Sequence, residues 1–329
     1  MNADLMSEAS DIKFAVNRAD LIADKQFIAN SSRITFGNEF LNDALYGLLP
    51  NDLCLIGAKS GKGKSAFAIN VAASNAKRKK NVLLVALEAE EAEVEMRLMY
   101  QIEAGLFFKD TERSPVDMSY RNWRFGLVKG ALKKYSDEAQ FQFKDQFQSL
   151  CTVYRNKSFG LRELENILER AKDWADIVIL DHLHYFDMQV RGADKYQAES
   201  ELIKRIRDLN LFYNKPFFVV AHLRKDIQGM VPGLEDFMGS SDIGKNATTC
   251  VMITPDYEGY DAKNAIQKTI FSVPKSRTGG FGNICGVLDY SIRHQCYLLG
   301  YRLGRASAKN DKVALLDEGD YPSWAIKRT

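Results

Sequence analysis

Ala58-Lys59-Ser60-Gly61-Lys62-Gly63-Lys64-Ser65 directly follows the apolar run Leu53-Cys54-Leu55-Ile56 and directly precedes Ala66-Phe67-Ala68-Ile69-Asn70-Val71-Ala72-Ala73. The order reads as a buried strand, a glycine-bearing loop and an amphipathic helix. Glycines let backbone N–H groups wrap a polyphosphate, and the helix that follows offers unpaired donors and the positive end of its dipole. On this reading 58–65 is a nucleotide-binding loop. Lys64 would reach the β- and γ-phosphates, and Ser65 would give its hydroxyl to Mg²⁺, so the implied ligands are ATP and Mg²⁺. Ala58 stands where glycine is commoner, a small residue that the turn tolerates. The competing reading is a basic solvated loop between strand and helix.

Such a loop needs an acid to orient the metal and a base to polarise water. Ile177-Val178-Ile179-Leu180 ends in Asp181, which would accept hydrogen bonds from the Mg²⁺ shell and from Ser65. The apolar run 82–87 ends in Glu88, placed at a strand tip where a carboxylate can act on the attacking water. Glu90, Glu91 and Glu93 follow closely and read instead as a solvated face with acids near a helix N-terminus. A third strand, Phe217-Phe218-Val219-Val220-Ala221, ends in His222, a candidate γ-phosphate sensor that is also readable as an ordinary strand-end histidine.

The elements that must position these groups follow from the pattern of apolar runs. Strands are expected at 82–87, around Val153, and at 177–180, 217–221, 251–253 and 270–273, alternating with helical segments. That alternation predicts an α/β fold with a mainly parallel central sheet flanked by helices. A long helical stretch lies between Glu91 and Gln148, interrupted near Ser114-Pro115. The expected organisation is an N-terminal arm over 1–33, an ATPase domain over 34–305 and a loosely held polar tail over 306–329. In the arm, Ile12, Ala15, Ala19 and Ile22 form one helical stripe, which would pack on its own domain or lie on a neighbouring subunit.

Composition bounds the rest. The chain has 329 residues, 46% of them apolar, enough to bury one large α/β core with a small appendage. No stretch approaches the ~20 apolar residues of a membrane span, and Asp4 stands where a signal peptide would carry base, so the expected location is the cytoplasm. The 5 cysteines are widely spaced without a C-x-x-C pair and predict reduced core thiols, not a zinc site. A net charge of +2 argues neither for nor against nucleic acid, so any DNA contact must come from local clusters.

Taken in order, Leu87-Glu88, Ile179-Leu180-Asp181-His182, Ala221-His222-Leu223-Arg224, Gly239-Ser240-Ser241 and Lys275-Ser276-Arg277-Thr278-Gly279 resemble the five blocks of the ring-shaped replicative DNA helicases. That family takes in the DnaB-type helicases, the phage primase-helicases and mitochondrial Twinkle. The resemblance spans roughly 34–303, and its strength is the co-linear set. It implies a RecA-like P-loop core, a hexameric ring with nucleotide sites at subunit boundaries, and 5′ to 3′ translocation on single-stranded DNA. Carried over by position, Lys64 and Ser65 bind phosphate and Mg²⁺, Glu88 is the base, Asp181 the metal acid and His222 the γ-phosphate sensor. Lys275 and Arg277 match the pair that reaches a neighbour's site, Arg277 as arginine finger. Without the resemblance, Lys275 to Gly280 reads as a basic hairpin turn. His222, where the bacterial branch usually has Gln, points to a phage or mobile-element origin.

DNA contact is expected from two channel-facing loops. One carries Arg191 and Lys195, and the other Gly239, Ser240, Ser241, Lys245 and Asn246. Backbone N–H groups, short hydroxyls and a few cations suit phosphate tracking without base readout. Residues 1–33 are too few for a collar or primase domain, so a separate primase or polymerase partner is expected. Two rival classes remain at this level: a recombinase-type ATPase that forms filaments on DNA, and a non-unwinding regulator or loader of another helicase.

Overall fold

The computed structural model describes residues 33–110, 117–155, 157–187, 195–224, 229–238, 242–277, 279, 281, 283–307, 309 and 311–325. The arm over 1–32, with its stripe, lies outside them. A compact unit begins at Ile34.

Its frame is one 11-stranded sheet in the order β11-β10-β8-β7-β6-β1-β5-β4-β2-β3, with β9 paired to β8. Strands β1 (Leu53–Ala58), β2 (Val82–Ala86), β3 (Leu150–Tyr154), β4 (Ile177–Asp181), β5 (Phe217–His222) and β6 (Thr249–Asp261) run parallel. Strands β7 (Ile266–Ser276), β8 (Ile284–Ser291), β9 (Cys296–Tyr297), β10 (Arg302–Ala306) and β11 (Val313–Leu315) extend it in antiparallel fashion. The expected parallel sheet is therefore one half of the whole, from β6 to the edge strand β3, and the antiparallel half continues from β6 to β11.

The central strands read as unbroken apolar runs because both faces are covered. Period-two alternation shows it directly. Cys54, Ile56, Phe218, Val220, Ile177 and Ile179 enter one core, while Leu53, Leu55, Phe217, Val219, Val178 and Leu180 enter the other. The first core is closed by helices α1 (Glu39–Leu45) and α2 (Lys64–Ala76), the second by α7 (Leu161–Ala171) and α8 (Lys195–Tyr213). The stretch expected to be helical between Glu91 and Gln148 carries α3 (Glu93–Asp110), α4 (Tyr120–Arg124), α5 (Lys129–Leu132) and α6 (Ser136–Phe147). Tyr100, Phe107, Met118, Leu132 and Tyr135 give these helices a small core of their own. The short helix α9 (Asp242–Asn246) precedes β6.

Two expectations need correction. The described part of 306–329 is not a loose tail: β11 pairs with β10, Leu303 N donates to Tyr321 Oη at 3.0 Å, and Trp324 packs against Phe40 and Phe281. A few aromatic anchors set in polar sequence suffice to hold it. Of the thiols, Cys54, Cys250 and Cys285 are buried, but Cys151 is exposed because its strand, β3, is the sheet edge.

Gly286 shows how tightly the two halves meet, since a Cβ there would lie 2.3 Å from the Phe40 ring. Gly286→Ala must displace that ring, and we expect a loss of about 1–3 kcal/mol in stability, read from the urea unfolding midpoint. A change under a few tenths would mean that α1 is not seated on β8.

Candidate nucleotide site

The candidate metal acid, base and histidine stand with the loop at the carboxyl ends of the parallel strands. β1 ends at buried Ala58, and the chain turns through Lys59 to Gly63 into α2, where Phe67 N donates to Gly63 O at 2.9 Å. Gly61 (φ +70°) and Gly63 (φ +89°) adopt left-handed conformations that open the turn. A Cβ on Gly61 would meet no atom within 4 Å, so that glycine answers to backbone geometry and not to crowding. Lys59 and Lys62 lie on the loop and Ser60 is exposed.

Lys64 opens α2 with its side chain turned inward, only 4% exposed, and its Nζ donates to Lys59 O at 3.0 Å. Burial lowers its pKa, partly offset by the Glu88 and Asp181 carboxylates. Asp181, 4% exposed, lies beside the Ser65 hydroxyl, and its Oδ1 is buried without a hydrogen-bond partner among the described residues. Burial pushes its carboxyl up to about 6. A hydroxyl and a carboxylate side by side, one oxygen unsatisfied, is the hard-oxygen donor set that Mg²⁺ uses when phosphates complete its shell. The residues therefore fit the ion. Among the described residues no cluster of three His, Cys, Asp or Glu would hold a metal without such help.

Glu88 is fixed by the pairing of β2 with β4. Ala86 lies opposite Asp181, and Asp181 O accepts from Leu87 N at 2.6 Å. The Glu88 side chain, 41% exposed, extends from that tip into the same space. Glu90 and Glu93 are committed elsewhere, Glu90 to Arg124 at 2.9 Å and Glu93 to Arg97 at 2.7 Å. His222 closes β5 directly opposite Ala58, beside the loop.

Sequence reasoning assigned no role to His182 and His184, although Asp181-His182-Leu183-His184 holds two of the chain's 4 histidines. With His222 they form a cluster, the rings of His182 and His222 lying 4.1 Å apart and those of His184 and His222 5.3 Å apart. Burial pushes His182 down to about 2 and His222 down to about 4.

These shifts oppose that of Asp181. Near pH 5 an unfolded chain carries protons on His182 and His222 that the folded chain lacks, and it lacks the proton that folded Asp181 holds. The histidines' contribution to stability is present above pH 6.5 and fades on acidification, while that of Asp181 is present at low pH and fades as pH rises through about 6. Unfolding near pH 5 thus takes up about one net proton at these three groups, which should cost nucleotide-free protein about 1.4 kcal/mol of stability per pH unit below pH 6, and His294, lowered by burial, adds in the same direction. In His222→Asn the slope should fall by about that 1.4 kcal/mol per pH unit. Urea unfolding at pH 5 and 6 reads both, and an unchanged slope in the variant would contradict the assignment.

Lys275 and Arg277 stand apart from this edge. Lys275 lies opposite Cys250 on β6, and Arg277 N donates to Thr248 O at 3.1 Å, level with the start of β1. From Leu53 to Lys59 the strand climbs about 20 Å, so Arg277 sits at the opposite edge of the sheet from its own phosphate loop. Lys275 Nζ donates to Gly244 O and Lys245 O at 2.9 and 2.8 Å, tying it to the last turn of α9. Arg277 is exposed. Of the expected DNA-contacting residues, Arg191, Gly239, Ser240 and Ser241 lie outside the described residues. Lys195 begins α8, Lys245 is exposed on α9, and Asn246 ends α9. Among the described residues no helix is long and apolar enough to cross a membrane.

The family model of the DnaB-like helicase C terminal domain matches residues 34–291. A probable replicative DNA helicase of Trieres chinensis is 21% identical over 253 residues, covering 74% of this chain and 52% of that protein. The chain thus spans about half the length of this curated relative. Among solved structures, one ATPase domain has a TM-score of 0.67 at 17% identity, over 87% of this chain and 99% of that one. A DnaB-like replicative helicase studied with its interactions with primase has a TM-score of 0.67 at 16% identity, over 88% and 67%. At these identities the likeness is one of fold.

Proposed function

Because the chain belongs to the family of the DnaB-like helicase C-terminal domain, we propose that it is an ATP-driven replicative helicase motor, working as a hexameric ring that moves 5′ to 3′ on single-stranded DNA. The observation that carries the reading is the division of the site. Lys64, Ser65, Asp181, Glu88 and His222 share one edge of the sheet, whereas Lys275 and Arg277 lie at the other. A single chain cannot bring its own Arg277 to its own γ-phosphate. Subunits stacked head to tail, each presenting one edge to the next, make the set complete.

In that assembly the loop N–H groups and Lys64 hold the β- and γ-phosphates. Glu88 polarises the attacking water and takes its proton, and His222 faces the γ-phosphate from the neighbouring strand. Arg277 of the adjacent subunit stabilises charge on the transferred phosphoryl oxygens, a task for which a planar guanidinium is suited. Ser65 and Asp181 would hold Mg²⁺, which neutralises charge on the phosphate oxygens. Arg191, Lys195, Gly239, Ser240, Ser241, Lys245 and Asn246 are the proposed DNA contacts. Lys275 links the two tasks, since its ammonium caps the helix that bears Lys245 and Asn246. A primase is a candidate partner, as one is for a structural neighbour, and a phage or mobile element is the proposed source.

The test is ATP turnover with and without single-stranded DNA, on protein whose mass in Mg-ATP is measured by light scattering. DNA-stimulated turnover by a species of about six subunits supports the motor. Turnover indifferent to DNA, or a persistent monomer, would put the fold to another use.

A further inference from the structure

His182 has no role in the mechanism above, yet it is the most enclosed polar group next to the base. It is 1% exposed, packed against the Tyr185 ring at 4.5 Å and the His222 ring at 4.1 Å. Its Nδ1 accepts from His184 N at 3.3 Å. A neutral imidazole that accepts at Nδ1 carries its proton on Nε2. That Nε2 lies 3.3 Å from Glu88 Oε2. The pair is close but not aligned as a hydrogen bond, and Nε2 has no other partner among the described residues. Catalytic contacts are often loose before substrate binds and tighten with it.

We propose that His182 is a positioning residue: its Nε2–H fixes the Glu88 carboxylate in the attitude of a general base, and its ring contact with His222 ties that attitude to the γ-phosphate. The inference rests on the proposed hydrolysis. The backbone N–H of His222 approaches His184 Nδ1 at 3.4 Å, and the three rings pack as one group. When His222 meets a γ-phosphate, a shift of its ring displaces His182, and with it the donor that Glu88 faces. Without that donor a half-exposed glutamate is free to turn to solvent, and a misplacement of about 1 Å is enough to lose about 10²-fold in rate.

Two substitutions separate positioning from packing. His182→Gln keeps an N–H donor near the place of Nε2, whereas His182→Asn keeps one only near Nδ1. Expected for His182→Asn is a fall in kcat of about 10²-fold with the KM for ATP and the affinity for a fluorescent ATP analogue held within about twofold. His182→Gln should retain at least a tenth of wild-type kcat. Equal losses in both variants, or wild-type kcat in His182→Asn, would overturn the proposal while leaving the motor intact. A wild-type protein without ATP turnover would remove the motor and this proposal together. Nitrogen-15 histidine spectra of the full wild-type chain give a reading that needs no His182 variant. The proposal requires the Nε2–H tautomer at His182 and a change in its Nε2 resonance in Glu88→Ala, and an Nδ1–H tautomer would refute it.

Discussion

Lys64→Ala should abolish ATP hydrolysis, by about 10²–10³-fold or more, and leave the urea unfolding midpoint of nucleotide-free protein almost unchanged. The reason lies in where the ammonium is held. Its stem is buried in the first turn of α2 and its head is fixed by Lys59 O at 3.0 Å, so the charge is in place before substrate arrives. A preorganised charge costs no reorganisation as negative charge grows on the phosphoryl oxygens, and a low-dielectric wall magnifies its effect. Burial already works against the charged form, which is why the pKa is lowered even with Glu88 and Asp181 nearby. Removing the side chain therefore costs the resting protein one hydrogen bond and relieves one desolvated charge, two small terms of opposite sign. Phosphate release and a urea melt on the same preparation test both halves. Hydrolysis within tenfold of wild type would sink the assignment of the loop, and a collapsed melt would show Lys64 to be a core residue first.

The loop was legible because its determinants are local. β1, β4 and β5 are buried on both faces, so each reads as an uninterrupted apolar run, and the first polar residue after such a run marks the carboxyl edge where Asp181 and His222 stand. Glu88 stands just past β2 by the same logic. The antiparallel half was not found to the same extent, because strands such as β7 mix Gln267, Lys268 and Thr269 with apolar residues and carry no clean period. The tail was misjudged for a related reason: Tyr321 and Trp324 hold it, and two anchors do not show against a polar background. The contact between His182 and Glu88 was beyond local reading altogether. It exists because β2 lies beside β4, a pairing of residues about 95 positions apart that no window along the chain contains. The co-linear blocks succeeded where periodicity failed. They pointed to the family that the match over 34–291 bears out.

Mixing two inactive proteins should restore activity. Glu88→Ala lacks the proposed base but keeps Arg277, and Arg277→Ala lacks the proposed finger but keeps Glu88. The two residues lie at opposite edges of one sheet, with Glu88 beyond β2 and Arg277 level with the start of β1. In a head-to-tail ring each boundary therefore takes its base from one subunit and its finger from the next. Each pure variant should lose activity at every boundary, the Arg277→Ala ring by about 10³–10⁵-fold. In an equal mixture, one boundary in about four joins an intact base to an intact finger, so turnover should recover to a few per cent of wild type or more if boundaries work independently. A site built within one chain would give no recovery, because every chain in the mixture would still lack one group. The control is a fluorescence-transfer signal showing that the two variants enter the same ring. Recovery without co-assembly would point to contamination, and co-assembly without recovery would place Arg277 outside the hydrolytic site. The geometry favours recovery, because Arg277 is exposed while Lys275 beside it is held back by the carbonyls of α9. Of the two cations, Arg277 is the exposed one, and Lys275→Ala should act more on DNA stimulation than on basal turnover.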